Sequence, residues 1–141
     1  MGGKVPNPTY KQICTGRTGH AEVVKVALAT AKLSLETVLA VFLKAHDPTT
    51  LNRQGADVGT QYRSEILYQN DAEKAVAEKS MQAAGKSGEF RSPIVTEIAR
   101  AGTFYKAEEY HQNHYNVNAN APYCRAVIWP KLNKLGLKFK K

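Results

Sequence analysis

The stretch SLETVLAVFLKA, residues 34–45, is the clearest structural element in the sequence. Ser34 is a residue type favoured at the N-cap of a helix, where its hydroxyl accepts a hydrogen bond from a free backbone N–H. The apolar side chains that follow have the spacing of one buried helical face: Leu35, Val38, Leu39, Phe42 and Leu43. Asp47-Pro48 ends the element, because proline biases the preceding residue away from helical dihedral angles. The stretch therefore predicts an amphipathic helix packed on a core.

Strands and further helices are predicted on both sides of this helix. Three valines predict a strand over residues 20–28, and alternating patterns predict strands over 62–68 and 94–99. Asn70 and Asp71 cap a helix to about Ala84, with Gly85 directly after it. A helix over 104–115 is also predicted, with loops at 1–19 and 116–124. Because strands and helices alternate irregularly, we predict an α+β fold: a ferredoxin-like two-layer sandwich of helices on a mixed or antiparallel sheet.

Length and composition limit the class of protein. The chain has 141 residues, 43% of them hydrophobic, which suits one domain with a real core. The sequence has no apolar run of about 18 residues and no apolar segment typical of a secretory signal. Two cysteines are too few for a disulfide scaffold. These features predict a cytoplasmic monomer that does not contact a membrane.

The basic charge is concentrated at the C-terminal end. The net charge is +8, from 20 lysines and arginines against 12 acidic residues. Residues 125–141 contain six of the positive residues and no acid, which leaves +2 for residues 1–124. We therefore predict a domain over 1–124 and a basic tail over 125–141. This distribution disfavours binding to nucleic acid, which favours a basic face with interleaved aromatic residues.

Four strings carry the candidate chemistry. They are NPTY with CTG at residues 7–16, TGHAE at 18–22, HDPT running into NRQGADVGTQYRS at 46–64, and AEEYHQ at 107–112. Residues 49–61 are almost entirely polar, and so long a polar loop in a compact domain is typical of a functional segment. In this order and spacing, the strings closely resemble the peptide methionine sulfoxide reductases of the A class. The resemblance covers nearly the whole chain, from residue 2 to residue 124.

The resemblance implies a thiol-dependent reductase of free and peptide-bound methionine-S-sulfoxide. A thiolate attacks the sulfoxide sulfur, and the oxygen leaves more readily when a carboxylic acid kept neutral by burial protonates it. Glu22 matches the family's general acid. Tyr10 and Tyr62 match two phenols that hydrogen-bond the sulfoxide oxygen. Asp57 matches a carboxylate that supports this network.

The resemblance also implies how the enzyme is regenerated. The attacking cysteine becomes a sulfenic acid, and a second cysteine then condenses with it to a disulfide. Cys124 matches this recycling position. Thioredoxin would reduce the disulfide by thiol exchange, so the partners are thioredoxin and oxidised proteins or peptides. No metal and no organic cofactor is expected.

The sequence departs from the family pattern at the nucleophile. The family's attacking cysteine lies in a Gly-Cys-Phe-Trp string upstream of the Gly-Gly pair seen here at Gly2-Gly3. The 141 residues do not contain that string, and their one tryptophan is Trp129. We therefore expect an N-terminally incomplete domain that lacks the nucleophilic cysteine and the family's first strand. We do not expect these residues alone to turn over substrate.

Several alternatives stay open from the sequence. Cys14 could replace the missing nucleophile, although free cysteines are most often small buried apolar residues. His111 and His114 have a spacing that can bind a metal, but hydrogen-bonded histidines on a half-buried helix are the commoner case. The chain could also be a catalytically inactive module that binds methionine sulfoxide, or a basic protein associated with nucleic acid.

Overall fold

A computed structural model describes residues 1–137 of the chain, which contain five α-helices and four short strands. The helices are α1 (Tyr10–Cys14), α2 (Leu35–Ala45), α3 (Asp71–Lys86), α4 (His114–Asn118) and α5 (Trp129–Lys134). The strands are β1 (Arg53–Gln54), β2 (Asp57–Val58), β3 (Glu65–Tyr68) and β4 (Glu97–Arg100). One-turn 3-10 helices occupy Thr60–Tyr62 and Glu109–His111, and a π-helical turn, Cys124–Ile128, leads into α5.

Helix α2 confirms the prediction made from its sequence. The Ser34 side chain caps it by accepting a hydrogen bond from the backbone N–H of Thr37. Leu39 and Leu43 are buried, and the helix ends where His46 becomes extended. It packs against α3 and α5. Since burial of large aliphatic side chains is the main stabilising force in a fold, this helix anchors the core.

Helix α3 also begins as predicted but ends later. The Asn70 side chain accepts a hydrogen bond from the Glu73 N–H at 3.0 Å. The prediction that Gly85 follows the helix was wrong, because Gly85 lies inside it. Ser87 is the C-terminal cap, and Gly88 (φ 74°) then takes the left-handed conformation that commonly ends a helix.

The strands form two separate pairs. β3 and β4 are parallel, in register from Glu65↔Glu97 to Tyr68↔Arg100, and α3 packs on both as the crossover helix between them. β1 and β2 form an antiparallel hairpin within the polar stretch 49–61, which was predicted as a loop. The α+β class is confirmed. Within residues 1–137, however, the strands do not form the single larger sheet of a ferredoxin-like sandwich.

Three predictions of local structure were wrong. Residues 20–28 have no regular secondary structure, and Val24 and Val26 are 87% and 56% exposed. Valine favours a strand only where a neighbouring strand supplies hydrogen bonds and packing. Among the described residues, no strand pairs with this segment. The helix predicted over 104–115 does not form: residues 104–108 have no regular secondary structure, a 3-10 turn follows, and Asn113 (φ 53°) is left-handed just before α4. Residues 1–19, predicted as loop, contain α1, capped by Thr9 and Gln12.

The segment predicted as a basic tail is largely helical as far as the structure describes it. The chain is helical from Cys124 to Lys134, and α5 contacts α2. The Arg125 guanidinium lies 5.3 Å from the centre of the Trp129 ring, a favourable cation–π distance. This part of the tail therefore packs on the fold. Residues 138–141, which carry three of its lysines, lie outside the described residues.

A chain of hydrogen bonds joins the end of α2 to both strands of the parallel pair. The two ring nitrogens of His46 lie 2.6 Å from the Phe42 carbonyl oxygen and 2.7 Å from Ser64 Oγ. Ser64 Oγ lies 2.7 Å from Thr96 Oγ1. Burial lowers the pKa of His46, and the hydrogen bond to Phe42 only partly opposes this. The fold therefore favours the neutral imidazole.

We predict that acid destabilises the protein through His46. The unfolded chain takes up the proton near the ordinary histidine pKa of about 6.5, whereas the folded chain resists it, so stability falls as the pH drops below that value. Urea unfolding between pH 5 and pH 8 measures the effect. His46→Gln should flatten the dependence, while His114→Gln removes a histidine without touching this network. An equally steep loss of stability in His46→Gln would contradict the prediction.

Candidate active site

The predicted site residues come from four segments that long-range hydrogen bonds hold together. The Tyr10 N–H, at the start of α1, donates to Glu108 Oε1 at 2.8 Å, across 98 residues. Thr60 Oγ1 donates to the Gly16 carbonyl at 3.1 Å. The Glu22 N–H donates to the Gln61 carbonyl at 2.9 Å. These contacts bring Tyr10, Glu22 and Tyr62 to one part of the surface.

Glu22 lies at this meeting point with its proton held more tightly than usual. Burial raises the pKa of the Glu22 carboxyl, His111 opposes the increase, and the charge of Asp57 adds to it. The residue still has an exposed surface, so a ligand can approach it. A carboxyl that keeps its proton closer to neutral pH can act as a general acid.

Tyr10 and Tyr62 place two phenols beside this carboxyl. A hydrogen bond with Cys14, together with the charge of that thiol, raises the pKa of Tyr10 to about 12, with smaller effects from burial and from Tyr62 and Glu22. Burial raises the pKa of Tyr62, and the charges of Glu22, Asp57 and Cys14 add to this. Both phenols are therefore protonated at neutral pH and available as hydrogen-bond donors.

Asp57 connects the site to the segment that holds the second cysteine. Asp57 begins β2, and its Oδ2 accepts a hydrogen bond of 3.4 Å from the Tyr123 hydroxyl. Burial and Asp57 raise the pKa of Tyr123, so this phenol also keeps its proton. Cys124, the next residue, is completely buried at the start of the π-helical turn. The role of Cys124 as recycling cysteine stays a prediction.

The structure adds residues that sequence reasoning did not place in the site. The His111 ring, considered from the sequence only as a metal ligand or a hydrogen-bonded histidine, lies 4.6 Å from the Tyr10 ring and acts electrostatically on Glu22. Cys14, which the sequence offered only as a substitute nucleophile, is exposed and lies close enough to Tyr10 to raise the pKa of that phenol. Tyr123 had no signal beyond its position next to Cys124. Within residues 1–137, no group of three His, Cys, Asp or Glu side chains is arranged to hold a metal ion.

Known proteins of one family match this chain along its length. The family model described as "Peptide methionine sulfoxide reductase" matches residues 1–141. A relative with that name from Trichodesmium erythraeum is 52% identical over 134 residues, which are 95% of this chain and 76% of that protein. A relative from Rhodopirellula baltica is 52% identical over 139 residues, or 99% of this chain and 71% of its own length.

The chain belongs to the peptide methionine sulfoxide reductase family. The structure agrees, because it resembles the crystal structure of reduced Mxr1 from Saccharomyces cerevisiae with a TM-score of 0.75. The two chains are 36% identical, and the match covers 87% of this chain and 67% of the yeast chain. The predictions that the chain is an oxidoreductase and a methionine sulfoxide reductase are confirmed. No helix among residues 1–137 is long and apolar enough to cross a membrane.

Proposed function

We propose that Tyr10, Glu22 and Tyr62 bind and protonate the sulfoxide oxygen of methionine-S-sulfoxide, free or in peptides. One observation carries the proposal: a carboxyl with a raised pKa lies among two phenols that remain protonated at neutral pH. These groups offer an acid and two hydrogen-bond donors to a single oxygen. Asp57 supports them through its charge and its contact with Tyr123.

The proposed reaction transfers the oxygen to a cysteine. A thiolate attacks the sulfoxide sulfur, Glu22 gives a proton to the oxygen, and one thiol and one sulfoxide become one sulfenic acid and one methionine. A second thiol, which we assign to Cys124, displaces water from the sulfenic acid and forms a disulfide. The two thiols of thioredoxin then reduce that disulfide by exchange. The scheme uses no metal and no organic cofactor.

The source of the attacking thiol has two candidates. Family resemblance points to a cysteine in a Gly-Cys-Phe-Trp string, which the 141 residues do not contain. Cys14 is the second candidate, because it is exposed and lies close enough to Tyr10 to raise the pKa of that phenol. Cys14 would be the nucleophile if the 141-residue protein shows thioredoxin-dependent turnover that Cys14→Ser abolishes. In that case Cys124→Ala should retain turnover when an external thiol is supplied. Without such turnover, the thiol comes from outside these residues.

A binding measurement tests the oxygen site without any turnover. Protein labelled with ¹³C at the tyrosine Cζ atoms is titrated with N-acetyl-methionine-S-sulfoxide amide, and signals are assigned by Tyr→Phe substitution. We expect Tyr10 and Tyr62 to shift and Tyr68, on β3, to stay unchanged. The sulfide analogue, which lacks the oxygen, should move neither. Equal shifts with sulfoxide and sulfide would contradict an oxygen site.

The binding-module alternative uses the same residues but predicts no chemistry. A reductase and a binding module would both show the tyrosine shifts, but only a reductase would produce methionine. We propose further that the protein acts as a monomer in the cytoplasm.

A further inference from the structure

Residues 1–5 form an arm that lies along the segment leading to the proposed general acid. The Met1 ammonium donates to the Ala21 carbonyl at 3.0 Å, and the Ala21 N–H donates to the Met1 carbonyl at 2.9 Å. The Lys4 N–H donates to the Thr18 carbonyl at 3.1 Å. The arm therefore pairs with the backbone as far as the residue directly before the acid.

His20 fastens this arm with both nitrogens of its ring, and the residue is only 2% exposed. The Gly3 N–H donates to Nδ1 at 3.0 Å, and Nε2 lies 2.8 Å from the Val5 carbonyl oxygen. A backbone N–H can only donate and a carbonyl oxygen can only accept, so Nδ1 carries no proton and Nε2 carries one. The neutral imidazole of His20 therefore bridges two peptide groups of the arm.

The arm can approach the ring this closely because residue 3 is a glycine. A Cβ atom at Gly3 would lie 2.4 Å from both the His20 backbone nitrogen and the Thr18 carbonyl oxygen, and 2.6 Å from His20 Cγ. These distances are well below the roughly 3.5–4.0 Å at which carbon atoms pack, so a larger residue would push the arm off the ring. The Tyr105 ring packs edge-on against His20, with 5.6 Å between the ring centres.

Glu22 depends on outside contacts because its own segment has no regular structure. Residues 17–29 form neither helix nor strand. The Gln61 carbonyl accepts the hydrogen bond from the Glu22 N–H, and Arg63 donates to the Gly19 carbonyl. The arm adds a third support, and its first residue is bonded to the residue before Glu22. Release of the arm would therefore loosen the segment next to the acid.

We propose that His20 is a positioning residue, which fixes Glu22 for the sulfoxide oxygen by fastening the arm to residues 18–21. The inference rests on the proposed function, in which Glu22 protonates that oxygen. Gly3 takes part by letting the arm reach the ring. Without the two ring nitrogens, the arm should separate from the segment and water should reach the surroundings of Glu22.

Amide hydrogen exchange in His20→Phe tests whether the ring holds the arm in the 141-residue protein. Phenylalanine keeps an aromatic ring against Tyr105 but makes neither hydrogen bond. The Lys4 and Ala21 N–H groups should exchange roughly 10- to 100-fold faster, because two hydrogen bonds that hold the arm are lost. Unchanged exchange at both groups would overturn the proposal.

Titration of Glu22 tests whether the arm matters to the acid. In His20→Phe the midpoint, followed by ¹³C NMR of the carboxyl carbon, should fall towards the ordinary glutamate pKa of about 4.3, because burial is the main cause of the raised pKa of Glu22. The charges of His111 and Asp57 also act on Glu22, and the substitution leaves both in place.

Leu39→Ala is the control for a purely structural effect. Leu39 is buried on α2, which packs against α3 and α5, so its loss weakens the core without touching the arm. Glu22 should titrate in this variant as in the parent. An unchanged Glu22 midpoint in His20→Phe, or an equal fall in Leu39→Ala, would overturn the proposal.

Gly3→Ala keeps the test decisive if His20→Phe does not fold. The added methyl group separates the arm from an intact imidazole, so Lys4 and Ala21 should again exchange faster and the Glu22 midpoint should again fall. An unchanged midpoint would overturn the proposal equally. Neither measurement needs sulfoxide or turnover. The positioning role can therefore fail while the tyrosine signals still respond to sulfoxide, and the proposed function can fail while His20 still controls Glu22.

Discussion

Arg63→Ala is expected to destabilise the protein by about 3–5 kcal/mol, because it leaves a buried carboxylate without its partner. Arg63 Nη2 lies 3.0 Å from Glu65 Oε2, and the two side chains are 12% and 3% exposed. Arg63 Nε also lies 3.3 Å from Glu97 Oε2, but that side chain is 53% exposed and stays solvated. The expected loss of stability therefore comes from Glu65, the carboxylate that stays buried. Urea unfolding at pH 7 measures it.

The same arginine holds two site segments together. Its Nη1 donates to the Thr60 carbonyl at 3.0 Å, and its Nη2 donates to the Gly19 carbonyl at 3.2 Å. Arg63→Lys keeps the charge but not the planar arrangement of donors, so it should recover only part of the stability. Glu97→Gln is the control, with an expected loss of about 0–1 kcal/mol for an exposed ion pair. A loss below about 1 kcal/mol in Arg63→Ala would contradict the account.

Glu22→Gln is expected to slow methionine formation by about 10²–10⁴-fold, the usual cost of losing a general acid. Glutamine keeps the shape and a hydrogen-bond donor but cannot deliver a proton. The assay uses the chain fused behind a family segment with Gly-Cys-Phe-Trp ahead of Gly2, in rapid-quench single turnovers. Glu109→Gln is the control, because that side chain is 84% exposed and pairs with Lys106. A rate within a few-fold of the parent would show that Glu22 is not the acid.

The pH dependence gives this variant a second readout. Because the pKa of Glu22 is raised, the acid form persists towards neutral pH and is then lost as the pH rises through that pKa. Methionine formation in the parent should therefore decline on the alkaline side. Glu22→Gln should lack that decline, while disulfide formation by Cys124 should depend much less on residue 22.

The sequence predicted correctly the elements that are determined by neighbouring residues along the chain. Ser34 and the apolar spacing define α2 without help from the rest of the chain, and Asn70 does the same for the start of α3. The strand expected over 20–28 failed because valine propensity does not supply a neighbouring strand. The helix expected over 104–115 was wrong both at residues 104–108, which have no regular secondary structure, and at Asn113, whose left-handed conformation the periodicity does not reveal.

The sequence predicted which residues form the site but not how their side chains are arranged in space. Resemblance in four strings pointed to Tyr10, Glu22, Asp57 and Tyr62, and the structure brings their segments together through contacts such as that between Tyr10 and Glu108. Tyr123 was missed because its importance comes from a contact across the fold, its hydrogen bond to Asp57.

The most direct test of the account is a single-turnover count of methionine and thiols in the fused protein. The reduced protein, without thioredoxin, is mixed with excess N-acetyl-methionine-S-sulfoxide amide or with the R epimer. The account predicts one methionine formed and two thiols lost per protein with the S epimer, and no methionine with the R epimer. Equal methionine formation from both epimers would contradict it. So would methionine formation no greater than that of a control in which the cysteine of the Gly-Cys-Phe-Trp string is replaced by serine.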